Sequence, residues 1–189
     1  VASLKEKIRD KGNEPDESGL TPEEALVKIR KKAGNLVARQ YACYEKHIQP
    51  DLEEAGIRIL RPEQLDEAQY KAVSDYFYNM VFPVLTPIAV DKSRPLPLLL
   101  NKAVYIAVRL RKENKSFFAL VQVPSVLPRH FELPCQGGRD FILLEDVITY
   151  FLSSLFELHI IEAHALFRVT RNSDLEVDDD AENLLAAMK

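Results

Sequence analysis

Four prolines, at positions 83, 87, 95 and 97, divide this chain into two textures. Proline fixes φ and removes a backbone donor, so no helix interior can run through such a stretch. Upstream of Phe82-Pro83 the apolar residues recur at helical steps. Downstream, β-branched residues become frequent and the pattern shortens to that of strands. The chain is therefore expected to be α+β, with an all-helical part of long antiparallel helices over residues 1–80. A mixed α/β part containing a β-hairpin follows over 81–189.

In the first part, GNEPDESGL (residues 12–20) reads as a loop. Thr21 is a good N-cap, Pro22 suits the first helical position, and Glu24 completes a capping box. Leu26, Ile29, Ala33, Leu36, Val37, Tyr41 and Tyr44 then form one stripe, and Gly56 is placed to end the segment. This predicts a helix over about 22–55. Ile57–Leu60 reads as a short apolar link. Pro62 would open a second helix of about twenty residues, with Leu65, Ala68, Ala72, Val73, Tyr76, Phe77 and Met80 inward. Two such helices make a bundle rather than a sheet.

In the second part, residues 104–111 and 117–123 predict a hairpin closed by the turn Lys112-Glu113-Asn114-Lys115. An apolar stretch at 141–144 precedes a helix from Glu145 to Phe156. Residues 166–171 predict another strand, and Asp178-Asp179-Asp180 suits the start of a last helix.

A chain 47% hydrophobic and 29% charged is too apolar for disorder. Its apolar runs are too short to span a bilayer, since Met80–Val90 already contains prolines. The N-terminus lacks a signal-peptide layout and an initiator Met, so the chain is expected to begin inside a longer reading frame. Cys43 and Cys135 stand alone and read as reduced thiols of a cytosolic protein. The net charge of −4 hides a basic segment at 81–140 between acidic ones. Such a segment could meet an anion, or could be ordinary solvated surface.

Chemistry-bearing motifs are sparse. Neither a Rossmann nor a Walker glycine pattern occurs among the six glycines. His159 and His164, five apart, suit neither one helix face nor one strand face, so no metal site is expected. No serine lies in a nucleophile elbow. Tyr105, Phe117, Phe118 and Phe131 stand near basic residues, as on a single-strand nucleic-acid surface, or pack as ordinary core. On residues alone, a free-standing anion- or nucleic-acid-binding module using 81–140 stays open.

Six blocks in order narrow the reading: SGLTPEEAL from Ser18, GIRIL from Gly56, FPVLTPIAVDKSRPLPLLLNK from Phe82, VQVPSVLPRHFELP from Val121, FILLEDVI from Phe141, and FRVTRNSDLEVDDDAENLL from Phe167. Together they resemble the polyphosphate kinases across nearly the whole chain. The resemblance implies the end of a helical N-terminal domain (1–80) and most of a head, or middle, domain (81–189). It implies an ATP-binding, cytoplasmic parent enzyme that moves the ATP γ-phosphate reversibly onto polyphosphate, with magnesium and a phosphohistidine. Peripheral association of that parent with membranes is compatible with it.

In the family, the reacting histidines and phosphate-gripping arginines lie in two C-terminal domains of phospholipase D-like fold. No catalytic, cofactor-binding or metal residue carries over to this chain. His47, His130, His159 and His164 match no catalytic position. The fragment alone is expected to be inactive, to hold neither ATP nor magnesium tightly, and to bind no nucleic acid. Its partners are expected to be a second copy, through the head domain, and the C-terminal catalytic domains. The family's head domain continues beyond Met188, so apolar surface left uncovered would favour association. Arg168 and Arg171, flanking Val169-Thr170, are the candidates for facing an anion or making interdomain salt bridges. Three apart on a regular strand, they would point to opposite faces.

Overall fold

The computed structural model of the chain describes residues 1–10, 14–90, 99–113 and 115–170. These form two compact units, Val1–Ile48 and Gln49–Thr170. Helices and mixed sheets together make the fold α+β, as expected.

The first unit holds α1 (Ala2–Arg9) and α2 (Pro22–Cys43), followed by a π-helical turn at Tyr44–Ile48. The predicted capping box is present. The Glu24 N–H donates to Thr21 Oγ1, and the Glu24 carboxylate accepts from the Thr21 N–H. Hydrogen bonding from Thr21, its backbone N–H first, holds the Glu24 carboxyl below its ordinary value. The predicted stripe is real as a pattern, yet only Leu26 of it is buried, while Ile29, Leu36, Val37, Tyr41 and Tyr44 are exposed.

The second unit opens with α3 (Gln49–Glu54), which ends where Gly56 adopts φ +76°. Ile57–Leu60, expected as a link, is strand β1. Its partner, Arg139–Leu143, is remote in sequence and lies parallel to it, so no local pattern announces the pairing. The second long helix also changes. Pro62–Gln64 is only a 3-10 turn, and α4 (Glu67–Tyr76) begins after Asp66, which forms a reciprocal capping box with Gln69. A π-helical turn at Phe77–Val81 then widens the repeat. The inward position after Phe77 is therefore Val81, fully buried, and the expected Met80 points outward.

β2 (Ile88–Val90), β3 (Val104–Lys112), β4 (Lys115–Gln122), β5 (His130–Leu133), β6 (Arg139–Leu143), α5 (Leu144–Tyr150), α6 (Leu152–Leu155) and β7 (Ile160–Arg168) complete the described elements. Four strands form one antiparallel sheet in the order β2-β4-β3-β7, with the predicted hairpin β3–β4 at its centre. The other sheet runs β1-β6-β5. The last strand starts six residues before the predicted 166. The acidic run at 178–180 and the expected last helix lie outside the described residues.

One core joins these pieces. Val73, Phe77 and Val81 meet Ile106, Val108, Ala119 and Val121 of the larger sheet, Leu60, Leu133 and Ile142 of the smaller, and Val147, Ile148 and Leu152 of the helices. Each fully buried aliphatic or aromatic side chain here contributes about 1.5–3 kcal/mol. Tyr105 and Leu120 face the other side of the larger sheet with Leu99.

A register shift between Arg109 and Leu110 leaves Glu162 of β7 as an extra residue between the pairs Arg109–Ala163 and Leu110–Ile161. Such a bulge re-aims a side chain. Glu162 reaches both Arg109 (3.1 Å) and Arg111 (3.0 Å), the i and i+2 residues of one face of β3.

The smaller sheet is tied down by a buried carboxylate. Asp140 is 1% exposed and accepts from Arg58 Nε (2.8 Å), from the same guanidinium's second nitrogen (2.6 Å), and from Gln69 (3.0 Å). Beside it two turns abut: the Arg139 N–H donates to Gly56 O at 2.7 Å. A Cβ on Gly138, whose φ is +93°, would stand 2.5 Å from that same oxygen. Only glycine fits there.

Candidate functional site

The register of the larger sheet gathers three strand ends. Val104 starts β3 opposite Arg168, the last residue of β7, and the Val123 N–H just beyond β4 donates to Val104 O. Just before β3, Leu100–Ala103 forms a turn closed by the Ala103 N–H on Leu100 O. Lys102 occupies its third position at φ +62°, with no positive φ at Asn101, which is type II geometry. That position favours glycine, so a lysine there is held by its surroundings. The Lys102 N–H donates to Val169 O (2.7 Å), and the Leu100 N–H donates to the hydroxyl of buried Tyr105 (2.9 Å).

The turn and the strand ends enclose a cleft of about 460 Å³. Its floor is apolar, built from Val104, Val123, Leu127 and Leu144, while Gln122 and Ser125 contribute polar edges. The far wall is braced twice. The Leu144 N–H donates to Arg129 O, and the Arg129 guanidinium grips Glu145, a buried carboxylate at the start of α5, at 2.5 and 3.0 Å. Hydrogen bonding to Glu145 raises the already high pKa of Arg129 further. Behind this wall, burial pushes the Asp146 carboxyl above its ordinary value, and the neighbouring Glu145 charge adds to that.

Three cationic side chains thus line one cleft: Lys102, Arg129 and Arg168. Arg129 is neutralised by Glu145, whereas Lys102 and Arg168 make no ion pair with a described residue, and no described Asp or Glu lines the cleft. The arrangement can hold an anion above an apolar surface. Among the described residues no histidine or cysteine lines it, so these side chains offer no imidazole or thiolate nucleophile.

Of the two arginines singled out from the sequence, Arg168 lines this cleft, and Arg171 lies outside the described residues. Lys102 and Arg129 were not singled out. Nothing in the spacing of NKAV or LPRH distinguishes them, because the cleft exists only once the strand register is set. The four aromatic rings near basic residues go to separate places. Tyr105 is buried, Phe131 stacks on Tyr76 with centroids 4.2 Å apart, and Phe117 and Phe118, consecutive on β4, face opposite sides. The histidines are equally scattered. His130 meets Phe141 edge-on and His159 meets Phe117, while His164 pairs with Val108 in the sheet. Among the described residues, no three His, Cys, Asp or Glu side chains gather as metal ligands would, and no helix is long and apolar enough to cross a membrane.

Comparison with known proteins finds two family matches in tandem. Residues 1–60 match the polyphosphate kinase N-terminal domain, and residues 68–189 match the polyphosphate kinase middle domain. A protein of an Exiguobacterium species named polyphosphate kinase is 45% identical over 185 residues, covering 95% of this chain and 26% of that protein. One from Bacillus anthracis with the same name is 39% identical over 198 residues, covering 100% of this chain and 28% of the relative. The chain therefore spans about a quarter of the length of these relatives. Among solved structures, the crystal structure of polyphosphate kinase from Porphyromonas gingivalis superposes with a TM-score of 0.66 at 28% identity, over 72% of this chain and 24% of that one. With its middle-domain match alone covering more than half of its length, this chain belongs to the polyphosphate kinase family.

Proposed function

We propose that this chain supplies the framework and the self-association of an enzyme that transfers the ATP γ-phosphate reversibly onto polyphosphate in the cytoplasm. In this reading, the phosphohistidine, the magnesium and the tight ATP contacts belong to other domains of a longer protein. Family membership supports the reaction. Physical chemistry supports the division of labour, because phosphoryl transfer needs positive charge converging on the reacting group together with a nucleophile. Among the described residues, the cleft at the sheet end carries two cations outside any ion pair and no histidine or cysteine.

The observation that carries the self-association is a continuous aromatic network open to solvent. Phe77 and Phe151 stack with centroids 4.5 Å apart inside the core. Around them Tyr70 and Tyr150 meet edge-on at 6.1 Å, and Tyr78 and Phe82 extend the cluster. Tyr70 and Tyr150 remain 43% and 45% exposed, and Met80 and Val84 are exposed nearby in sequence. Rings of this kind, anchored at one end and bare at the other, dominate protein interfaces.

Sedimentation velocity tests it. The chain is expected to dimerise with rising concentration, and the paired substitution Tyr70→Glu with Tyr150→Glu to leave a folded monomer. A chain that stays monomeric at about 100 μM, where an interface of micromolar affinity would be filled, overturns the reading. Incubated with ATP and magnesium, the purified chain is expected to make no polyphosphate.

A further inference from the structure

We infer that the cleft at the end of the larger sheet is a binding site for a nucleoside phosphate, gripped by Lys102 and Arg168 at its rim and seated on the apolar floor. The inference does not depend on the self-association proposed above. Two features carry it, and a third makes it cleanly testable.

The first is charge. Lys102 and Arg168 are brought together by the pairing of Val104 with Arg168 and by the backbone bond from Lys102 to Val169. Neither is paired with a described acid, and Glu145, behind the wall, is already committed to Arg129. Two cations with no described acidic partner over one cleft attract an anion carrying at least two charges. The arginine's planar fork also suits phosphate oxygens.

The second is the floor. Val104, Val123, Leu127 and Leu144 would gain nothing from a bare phosphate chain, which leaves apolar surface wet. A ligand with a flat organic body beside its phosphates covers that floor, and Gln122 and Ser125 stand at its edge for polar groups of a base or sugar. A volume of about 460 Å³ lies in the ordinary range for small-ligand pockets.

The third is the backbone of Lys102. A lysine at φ +62° occupies a turn position that glycine fills without strain. Substitution by glycine should therefore remove the cation without harming the fold. That separates a loss of binding from a loss of structure.

The test uses this chain and titrates adenosine diphosphate, pyrophosphate and adenosine separately at constant ionic strength, following backbone amide shifts. Adenosine diphosphate is expected to saturate with a dissociation constant of about 1 mM, moving the amides of Leu100–Val104 and Gln122–Ser125. Pyrophosphate should bind at least severalfold more weakly, and adenosine should not saturate. Lys102→Gly and Arg168→Gln should each weaken adenosine diphosphate binding about tenfold, with Lys102→Gly at least as heat-stable as the unaltered chain. The inference is overturned if adenosine diphosphate moves amides elsewhere or does not saturate, or if neither substitution weakens it. Pyrophosphate binding as tightly as adenosine diphosphate overturns the nucleoside assignment. A chain that is monomeric yet binds adenosine diphosphate here would sink only the self-association.

Discussion

Helices α2 and α4 carry the same kind of signal and meet different fates. Both open with a reciprocal capping box, and both repeat apolar residues at three- and four-residue steps. In α4 and its π turn, Val73, Phe77 and Val81 are at most 1% exposed, locked among two sheets and α5. In α2, Leu36 is 55% and Tyr41 62% exposed. Periodicity therefore shows that a helix has a face to bury and says nothing of what covers it. Apart from Leu60 of β1, the strands that bury α4 lie more than twenty residues away in sequence, so its stability is a tertiary property. That of α2, which buries only Pro22 and Leu26 and touches α1, rests far more on caps and propensity.

The widest gap between the two helices should appear on truncating one side chain in each. Phe77→Ala removes a ring stacked on Phe151 and is expected to cost about 3–5 kcal/mol, whereas Leu36→Ala should cost under about 1 kcal/mol. Urea unfolding followed by circular dichroism checks both. A comparable loss at Leu36 would show its stripe covered in solution and break the contrast.

Next in size comes the glycine contact that sets β1 beside β6. Gly138→Ala forces a Cβ against Gly56 O at a left-handed φ, and should cost about 2–3 kcal/mol in the same assay. No glycine of α2 meets such a limit, since a Cβ at Gly34 finds open space. Gly34→Ala should stabilise the helix by about 0.5–1 kcal/mol.

The caps sharpen the comparison at smaller scale. Thr21→Ala and Asp66→Ala should each cost about 1 kcal/mol of helix stability. Only the second should lower the melting temperature of the cooperative core, because only α4 is part of it. Hydrogen exchange on the first turns of the two helices distinguishes local fraying from global loss.

The smallest effect is expected from pH. Hydrogen bonds from Arg58, opposed by burial and aided by Gln69, hold the Asp140 carboxyl below its ordinary value of 3.8. A carboxyl depressed in the folded state contributes stability above its unfolded pKa and loses it as pH falls through the folded one. The melting-temperature difference between the unaltered chain and Asp140→Asn should therefore hold steady from neutral pH towards 3.8 and shrink below it. Asp146 has the opposite sign, because burial raises its pKa. Asp146→Asn should stabilise slightly at neutral pH, with the gain fading as acid protonates the native carboxyl.

Local signals in this chain read well wherever the partner is close in sequence. The capping box at Thr21–Glu24, the stop at Gly56 and the hairpin of β3 with β4 follow from residues within a turn or two of each other. The misreadings lie where the partner is distant. Ile57–Leu60 looks like a link because its parallel mate begins at Arg139. Met80 looks inward because a π turn is invisible to a 3.6-residue count. Lys102 looks like any surface lysine until β7 returns beside β3 and the Lys102 N–H meets Val169 O.

By itself, then, the amino-acid order determined the α+β class, the two textures, the helix starts and the family, because each rests on short-range preferences or on many positions read together. Tertiary structure alone decided which apolar faces are buried, where Asp140 and Glu145 find their arginines, and that Lys102 and Arg168 face one cleft. Those outcomes depend on how segments remote in sequence pair, and a register shift of one residue would turn Asp140 and Arg168 to the opposite side of their sheets.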